Sequence, residues 1–207
     1  MNFKNQPTQR DKVVAHLRAT GMSRLSELMA KGITAATVSR LEREGVLIRL
    51  ARGLYQLADA SLDVNHSLAE ASKLVPKGVI CLTSALAFHG LTDQIPPKVW
   101  MAIGLKEWRP TFQYPPVRFA RFSGPRLLLG VEQHIIDGVT VPIFGVAKIV
   151  ADLFRYRQTV GVSVALEGLR EALRQKKASP SDIAQEAVDA KVWKVMAPYM
   201  TALTPHG

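Results

Sequence analysis

The segment ITAATVSRLEREGVLIRLARGLYQLA, Ile33 to Ala58, changes its periodicity at Gly45 and constrains the fold more than any other stretch. Before the glycine, Val38 and Leu41 lie one helical turn apart, and Thr34 stands where a helix N-cap belongs. After it, VLIRL and GLYQL are short β-type runs joined through Ala51-Arg52-Gly53, where Gly53 is free to take a positive φ. A helix ending near Glu44 and a small basic hairpin are expected in direct succession.

Two further helices are expected upstream. Residues 7–19 place Val13, Val14 and Leu17 on one face, with Gly21 as a stop. Ser23 is expected to cap a second helix, RLSELMA, whose Leu25, Leu28 and Met29 share a side and which Gly32 ends. Two short helices around a tight glycine-containing turn give the helix-turn-helix outline. Followed at once by a two-stranded ribbon, they predict a winged helix-turn-helix. At about 100° per residue, Val38 and Leu41 face inward on the third helix. Ala36, Ser39, Arg40 and Arg43 fall on the opposite side, with Thr37 at the margin. Small side chains there let a backbone sink into a ~12 Å major groove, with Thr37, Ser39 and Arg40 near base edges and Arg43 near a phosphate. Arg49 and Arg52, on or beside the hairpin turn, are expected to grip the DNA backbone. The candidate DNA contacts are thus Thr34, Ala36, Thr37, Ser39, Arg40, Arg43, Arg49 and Arg52. An ordinary solvated face is the competing reading, since Glu42 and Glu44 would repel DNA. Tyr55 reads as a core filler, or else as a phosphate donor.

Charge bears on that choice. The 207 residues carry a formal net charge of +10. Residues 1–57 hold ten Lys/Arg against four Asp/Glu, and the remaining 150 hold seventeen against thirteen. Charge density is therefore concentrated at the N-terminal end, as for a polyanion-facing module on a less charged body. Hydrophobic residues make up 47%, enough for a real core. No apolar run approaches the roughly 18–20 residues of a membrane span. The start, MNFKNQPTQRDK, is too polar for a secretory signal. The single cysteine, Cys81, forms neither an internal disulfide nor a cysteine-based zinc cage and reads as an inert core residue. A reducing, cytoplasmic setting is the expectation.

Residues 59–65, DASLDVN, suit a short linker, which predicts a winged helix-turn-helix domain over 1–60 and a second domain over 61–207. In the latter, residues 66–75 read as a helix ended by Pro76, and Val79–Leu82 as a strand passing into a helix capped by Thr83 or Ser84 and stopped at Gly90. PPKVWMAIG and PVRFARF read as strands, and Asp137-Gly138 between apolar runs predicts a hairpin. From Val146 the period is helical, through VAKIVADLFRYR and VSVALEGLREALRQKK. Ser179-Pro180 is expected to open another helix, and Pro198 to kink or interrupt the last. The fold class is α+β: a small sheet with helices gathered towards the C-terminus.

Read together, LEREGVLIRLARGLYQLA, VICLTSALAFHGLTDQIPPKVWMAIG and VAKIVADLFRYRQTVGVSVALEGLREALR resemble the AbiEi-type antitoxin family over about residues 8 to 200. These are transcriptional regulators of bacterial abortive-infection systems. The resemblance implies a winged-helix domain that binds inverted repeats in the promoter of its own operon and represses it. It also implies a C-terminal domain that opposes a nucleotidyltransferase-like toxin without a stable complex, with self-association on DNA an open matter. The basic residues it carries over are Arg40, Arg43, Arg49 and Arg52. Direct contact with a toxin, or a solitary regulator, are the alternatives.

Little in the chain points to catalysis, and no cofactor is expected. GPRLLLG lacks the Gly-Lys-Ser/Thr of a P-loop, and HExxH and Gly-x-Ser-x-Gly are missing. So is the Gly-Ser and paired aspartates of the toxin partner. His66, His89 and His134 lack metal-ligand spacing, and His89 reads as a helix-end residue before Gly90. Glu132 and Asp137 hint at a metal-dependent nuclease, yet no Glu-x-Lys follows, and Asp137 is better explained by its turn. Asp152 is expected to pair within its helix with Arg155, a partner contact or switch being the sharper alternative.

Overall fold

A computed structural model describes residues 7–204, so the first six residues of the polar start lie outside the described residues. The chain divides into two compact units, one comprising Met1–Pro76, Pro110–Pro115 and His134–Val141, the other Lys77–Arg109, Pro116–Gln133 and Pro142–Gly207. Helices and two sheets make the fold α+β.

In the first unit the order is α1 (Gln9–Thr20), β1 (Met22–Arg24), α2 (Leu25–Ala30), α3 (Ala35–Arg43), β2 (Leu47–Ala51), β3 (Leu54–Leu57) and α4 (His66–Leu74). Thr8 opens α1 through a capping box: its side chain accepts from the Asp11 amide, and the Asp11 carboxylate accepts from the Thr8 amide at 2.9 Å. The second helix differs from expectation. Ser23 does not cap it but belongs to β1, buried, with its hydroxyl donating to Glu27 Oε2 at 2.8 Å. Three residues in extended form carry no periodicity to read, yet β1 pairs with β3 and completes a sheet of order β1-β3-β2. Met29, expected to pack, is 52% exposed, because a six-residue helix buries one apolar row, here Leu28. The core gathers Val13, Leu17, Leu28, Ile33, Val38, Leu41, Leu47, Tyr55 and Leu57. Tyr55 is therefore a core residue.

The end of α1 is closed by glycine. Gly21 sits at φ +66, and a Cβ there would meet the Asp137 carbonyl oxygen at 1.5 Å, a backbone approach that no other residue type permits. Asp137-Gly138 forms the expected tight turn, with φ +49 and +75. Its carboxylate has a second role that the sequence concealed: Oδ2 accepts from His66 Nδ1 at 2.6 Å, and Oδ1 from the Asp63 amide at 2.9 Å.

Glu70 on α4 is 1% exposed, and neither carboxylate oxygen has a hydrogen-bond partner among the described residues. Burial raises its pKa above the ordinary glutamate value of 4.5. The folded state thus holds a proton that the unfolded chain releases, so this group's contribution is complete below pH 4.5 and is lost as pH rises through the raised value. Glu70→Gln, neutral throughout, is expected to gain on the parent as pH rises from 4.5 to the raised value and to keep a constant advantage above it. Urea unfolding from pH 4 to 8 checks this, and a gap that stays flat with pH would refute it.

The second unit holds β4 (Val79–Ile80), α5 (Leu82–Phe88), β5 (Val99–Gly104), β6 (Val117–Phe122), α6 (Gly124–Leu128), β7 (Val131–Ile136), β8 (Val139–Phe144), α7 (Val146–Arg155), α8 (Arg157–Val160), α9 (Val162–Arg174), α10 (Pro180–Asp189) and α11 (Trp193–Leu203), of whose strands residues 134–141 group with the first unit. Sheet order is β6-β5-β4-β8-β7; β4 runs antiparallel to β5 and parallel to β8, and β5 parallel to β6. The strand at Val79 stops at Ile80, and Cys81, not Thr83 or Ser84, precedes α5. Ser84 is used elsewhere, its Oγ accepting from the Trp100 amide at 2.9 Å. Cys81 is fully buried, and burial pushes its thiol well above the usual range. His89 ends α5 and contacts the Phe144 carbonyl through Nε2 at 2.9 Å. Ser179 caps α10 with Pro180 in its first turn. The last helix runs through Pro198 without interruption.

The expected Asp152–Arg155 pair does not form. Asp152, fully buried on α7, accepts from Lys148 Nζ at 2.9 Å and from Arg126 Nη2 at 2.7 Å, while Arg155 is exposed. Lys148, one turn earlier, shares the buried stripe of the helix, whereas Arg155 falls at its exposed end.

Candidate nucleic-acid interface

The eight candidate residues occupy two neighbouring elements of the first unit. Thr34 is the N-cap of α3, its hydroxyl accepting from the Thr37 amide at 3.2 Å. Val38 and Leu41 are buried, while Ala36, Ser39, Arg40 and Arg43 are exposed and Thr37 is half-buried. The helix therefore keeps its apolar side in the core and turns a small, polar and cationic side outward. The chain leaves α3 through Gly45 at φ +73 and enters β2.

Strands β2 and β3 pair antiparallel, Arg49 opposite Tyr55, with an irregularity between Arg49 and Ala51. Tyr55 points into the core and Arg49 is exposed. The irregularity brings Arg49 Nε to 3.4 Å from the Ala51 carbonyl, a weak bond that leaves most of the guanidinium unspent. Arg52 stands exposed in the turn beside Gly53. Ile48, on the same outward strand, is 44% exposed.

Acidic residues at the far end of α3 are not idle. Glu44 takes Arg10 Nη1 at 2.9 Å and lies 3.7 Å from Arg40 Nε. All three side chains are 41–57% exposed, so these are weak solvent-screened pairs that a phosphate could displace. Arg10 and Arg40 thus offset part of the negative charge that Glu44 brings to this end of the helix.

One residue with no role apparent in the sequence organises the whole turn. Gln9, in the first turn of α1, accepts at Oε1 from the Thr34 amide (3.1 Å), the Thr34 hydroxyl (3.3 Å) and the Thr37 hydroxyl (2.8 Å). Its Nε2 donates to the Gly32 carbonyl at 3.0 Å. A single amide thus fixes the α2–α3 turn and the first turn of α3, and Thr37's hydroxyl is spent inside the protein. The only signal in the sequence is a polar residue with paired donor and acceptor, indistinguishable from any surface glutamine.

Residues 18–58 match the family model described as transcriptional regulator, AbiEi antitoxin. The match covers α2, α3 and the β2–β3 hairpin, the segment whose period changes at Gly45; the resemblance over about residues 8 to 200 is wider than the stretch matched. No curated protein matches the chain. Among solved structures, the crystal structure of the RV2827C protein from Mycobacterium tuberculosis superposes with a TM-score of 0.59 at 13% identity, covering 97% of this chain and 83% of that one. At that identity the likeness is one of fold. No helix among the described residues is long and apolar enough to cross a membrane.

The place of Gln9 yields a direct expectation for DNA binding. Gln9→Ala should weaken binding to a cognate duplex by roughly tenfold or more, since three donors are deprived of their shared acceptor. Gln9→Glu keeps that acceptor but loses the donor to the Gly32 carbonyl and adds a negative charge, so it should not restore the parent's affinity. Equal cognate affinity for Gln9→Ala and the parent, by fluorescence anisotropy, would leave Gln9 without a positioning role.

Proposed function

We propose that the chain is a sequence-specific DNA-binding transcriptional repressor of the AbiEi antitoxin type. Residues 1–60 act as a winged helix-turn-helix in which α3 enters the major groove and the β2–β3 hairpin lies along the phosphate backbone. The observation that carries the reading is the joint exposure of Ser39, Arg40 and Arg43 on α3 and of Arg49 and Arg52 on the hairpin directly after it, within the stretch that matches the family. The protein binds inverted repeats in the promoter of its own operon, two copies lying about one helical turn apart or a multiple of it. Residues 61–207 form the antitoxin-type domain that opposes a nucleotidyltransferase-like toxin without a stable complex. It works in the cytoplasm and needs no cofactor.

Footprinting on the DNA upstream of its own gene tests this. Protection of an inverted repeat, relieved by salt, is the expected result; protection of no sequence at low ionic strength would refute it. A second reading has its own support. In the second unit Leu105, Trp108, Leu128 and Leu129 are 61–75% exposed, large apolar side chains of the kind that direct contact with a toxin would cover. Co-purification of a stable complex with the product of the adjacent gene would favour that reading.

A further inference from the structure

A cavity of about 360 Å³ in the first unit is bounded by the end of α1, by β1 and β3, by the linker after β3, and by the Asp137 turn. Its polar groups are graded by depth. Arg18 and Asp59, 3.7 Å apart and 68% and 73% exposed, stand at the rim. Inside lie the buried Leu17 and Met22 and the imidazole of His66, only 15% exposed. Between them is Gln56 on β3, 6% exposed, whose side-chain amide makes no hydrogen bond among the described residues.

That amide is the telling group. A primary amide can pair through both its carbonyl and its NH₂, and no protein group among the described residues takes either here, so both are available to whatever fills the cavity. Strand pairing holds Gln56 in place, opposite Met22 on one side and Ile48 on the other. Nor is His66 free to turn. Its Nδ1 donates to Asp137 Oδ2 at 2.6 Å, and Asp137 is fixed in turn by the Asp63 amide at 2.9 Å. The second ring nitrogen, Nε2, is left unspent among the described residues. The cavity therefore offers a donor–acceptor pair from one amide on a fixed strand, a further imidazole nitrogen, and apolar walls. This size and mixture fit a small organic ligand.

We propose that this cavity is a binding site for a small planar cyclic amide, of the lactam or nucleobase type. Such a ring presents an adjacent N–H and C=O, which pair with the Gln56 carbonyl and NH₂ as a side-chain amide pairs with a base edge. Its faces pack on Leu17 and Met22, and His66 Nε2 takes a third contact at the ring's other side. The site is independent of the groove-facing side of α3.

Calorimetric titration of the full chain tests it, with uracil and hypoxanthine as probes and 1,3-dimethyluracil as the control with the same ring but methyl groups in place of the N–H donors. Uracil or hypoxanthine should bind, with 1,3-dimethyluracil weaker by roughly tenfold or more. Gln56→Leu should lose the preference for the free N–H while keeping the parent's circular dichroism. Equal binding of uracil and its dimethyl analogue, or no heat from either probe at millimolar concentration, would overturn the proposal. Both comparisons on the parent chain stand whether or not Gln56→Leu folds, and whether or not the protein binds DNA.

Discussion

Asp152→Ala is expected to remove about 3–5 kcal/mol of folding stability, the usual consequence of taking one partner from a buried charge pair. Asp152 is fully buried and anchors two cations, Lys148 at 2.9 Å and Arg126 at 2.7 Å. Arg126 has a second carboxylate, Glu186, at 2.9 Å; Lys148 is 1% exposed, with its ammonium 4.3 Å from the centre of the Phe144 ring. Removing Asp152 strands Lys148 in an apolar site, where the ring face offsets only part of the cost. Burial already holds Lys148 below the ordinary lysine value of 10.5 despite Asp152, and the substitution lowers it further. A folded state that binds fewer protons than the unfolded chain gains stability as pH rises. The deficit of Asp152→Ala should therefore shrink between neutrality and pH 10.5. Adding Lys148→Met should restore part of the stability at pH 7. Urea midpoints of parent, single and double variants decide the matter. A deficit under about 1 kcal/mol would show that the cluster behaves like an exposed ion pair.

The second large effect concerns DNA. Arg49→Ala and Arg52→Ala are expected to weaken binding to cognate and scrambled duplexes alike. Each should lower the slope of log affinity against log salt by about 0.9 for every phosphate the protein no longer neutralises. Arg40→Ala should instead erode the cognate preference, by roughly 1–3 kcal/mol if its guanidinium spans a guanine edge. Anisotropy titrations over a salt series separate the two behaviours. Equal weakening on both duplexes for Arg40→Ala would remove it from base reading. A salt slope unchanged in Arg49→Ala and Arg52→Ala would show that the hairpin stands clear of the backbone.

What was legible in the sequence followed from strong local signals. Thr34 caps α3, Gly45 follows its end, Asp137-Gly138 turns a hairpin, and Ser179-Pro180 opens α10, because caps and tight turns are decided by a few adjacent side chains. The alternation of Val38 and Leu41 with Ser39, Arg40 and Arg43 marks the buried and outward sides of α3 for the same reason. Where the expectation failed, packing beyond the local spacing decided. Ser23 looks like a cap because nothing local announces a three-residue strand whose other half, β3, lies about thirty residues on. Arg155 and Lys148 both stand at helical spacing from Asp152, and only the burial of one side of α7, with Arg126 arriving from twenty-six residues away, selects Lys148.

The sequence alone determined the run of helices and hairpin over residues 9–57 and the concentration of cationic charge there, since both depend on neighbours along the chain. Tertiary structure alone decided that Gln9 spends the hydroxyl of Thr37, that Asp137 holds His66, that Lys148 and Arg126 share Asp152, and that the amide of Gln56 faces a cavity without a partner among the described residues. The physical reason is common: a buried polar group takes whichever complementary atom packing brings within about 3 Å, or goes without where packing brings none, and packing is set by the whole core rather than by the adjoining residues.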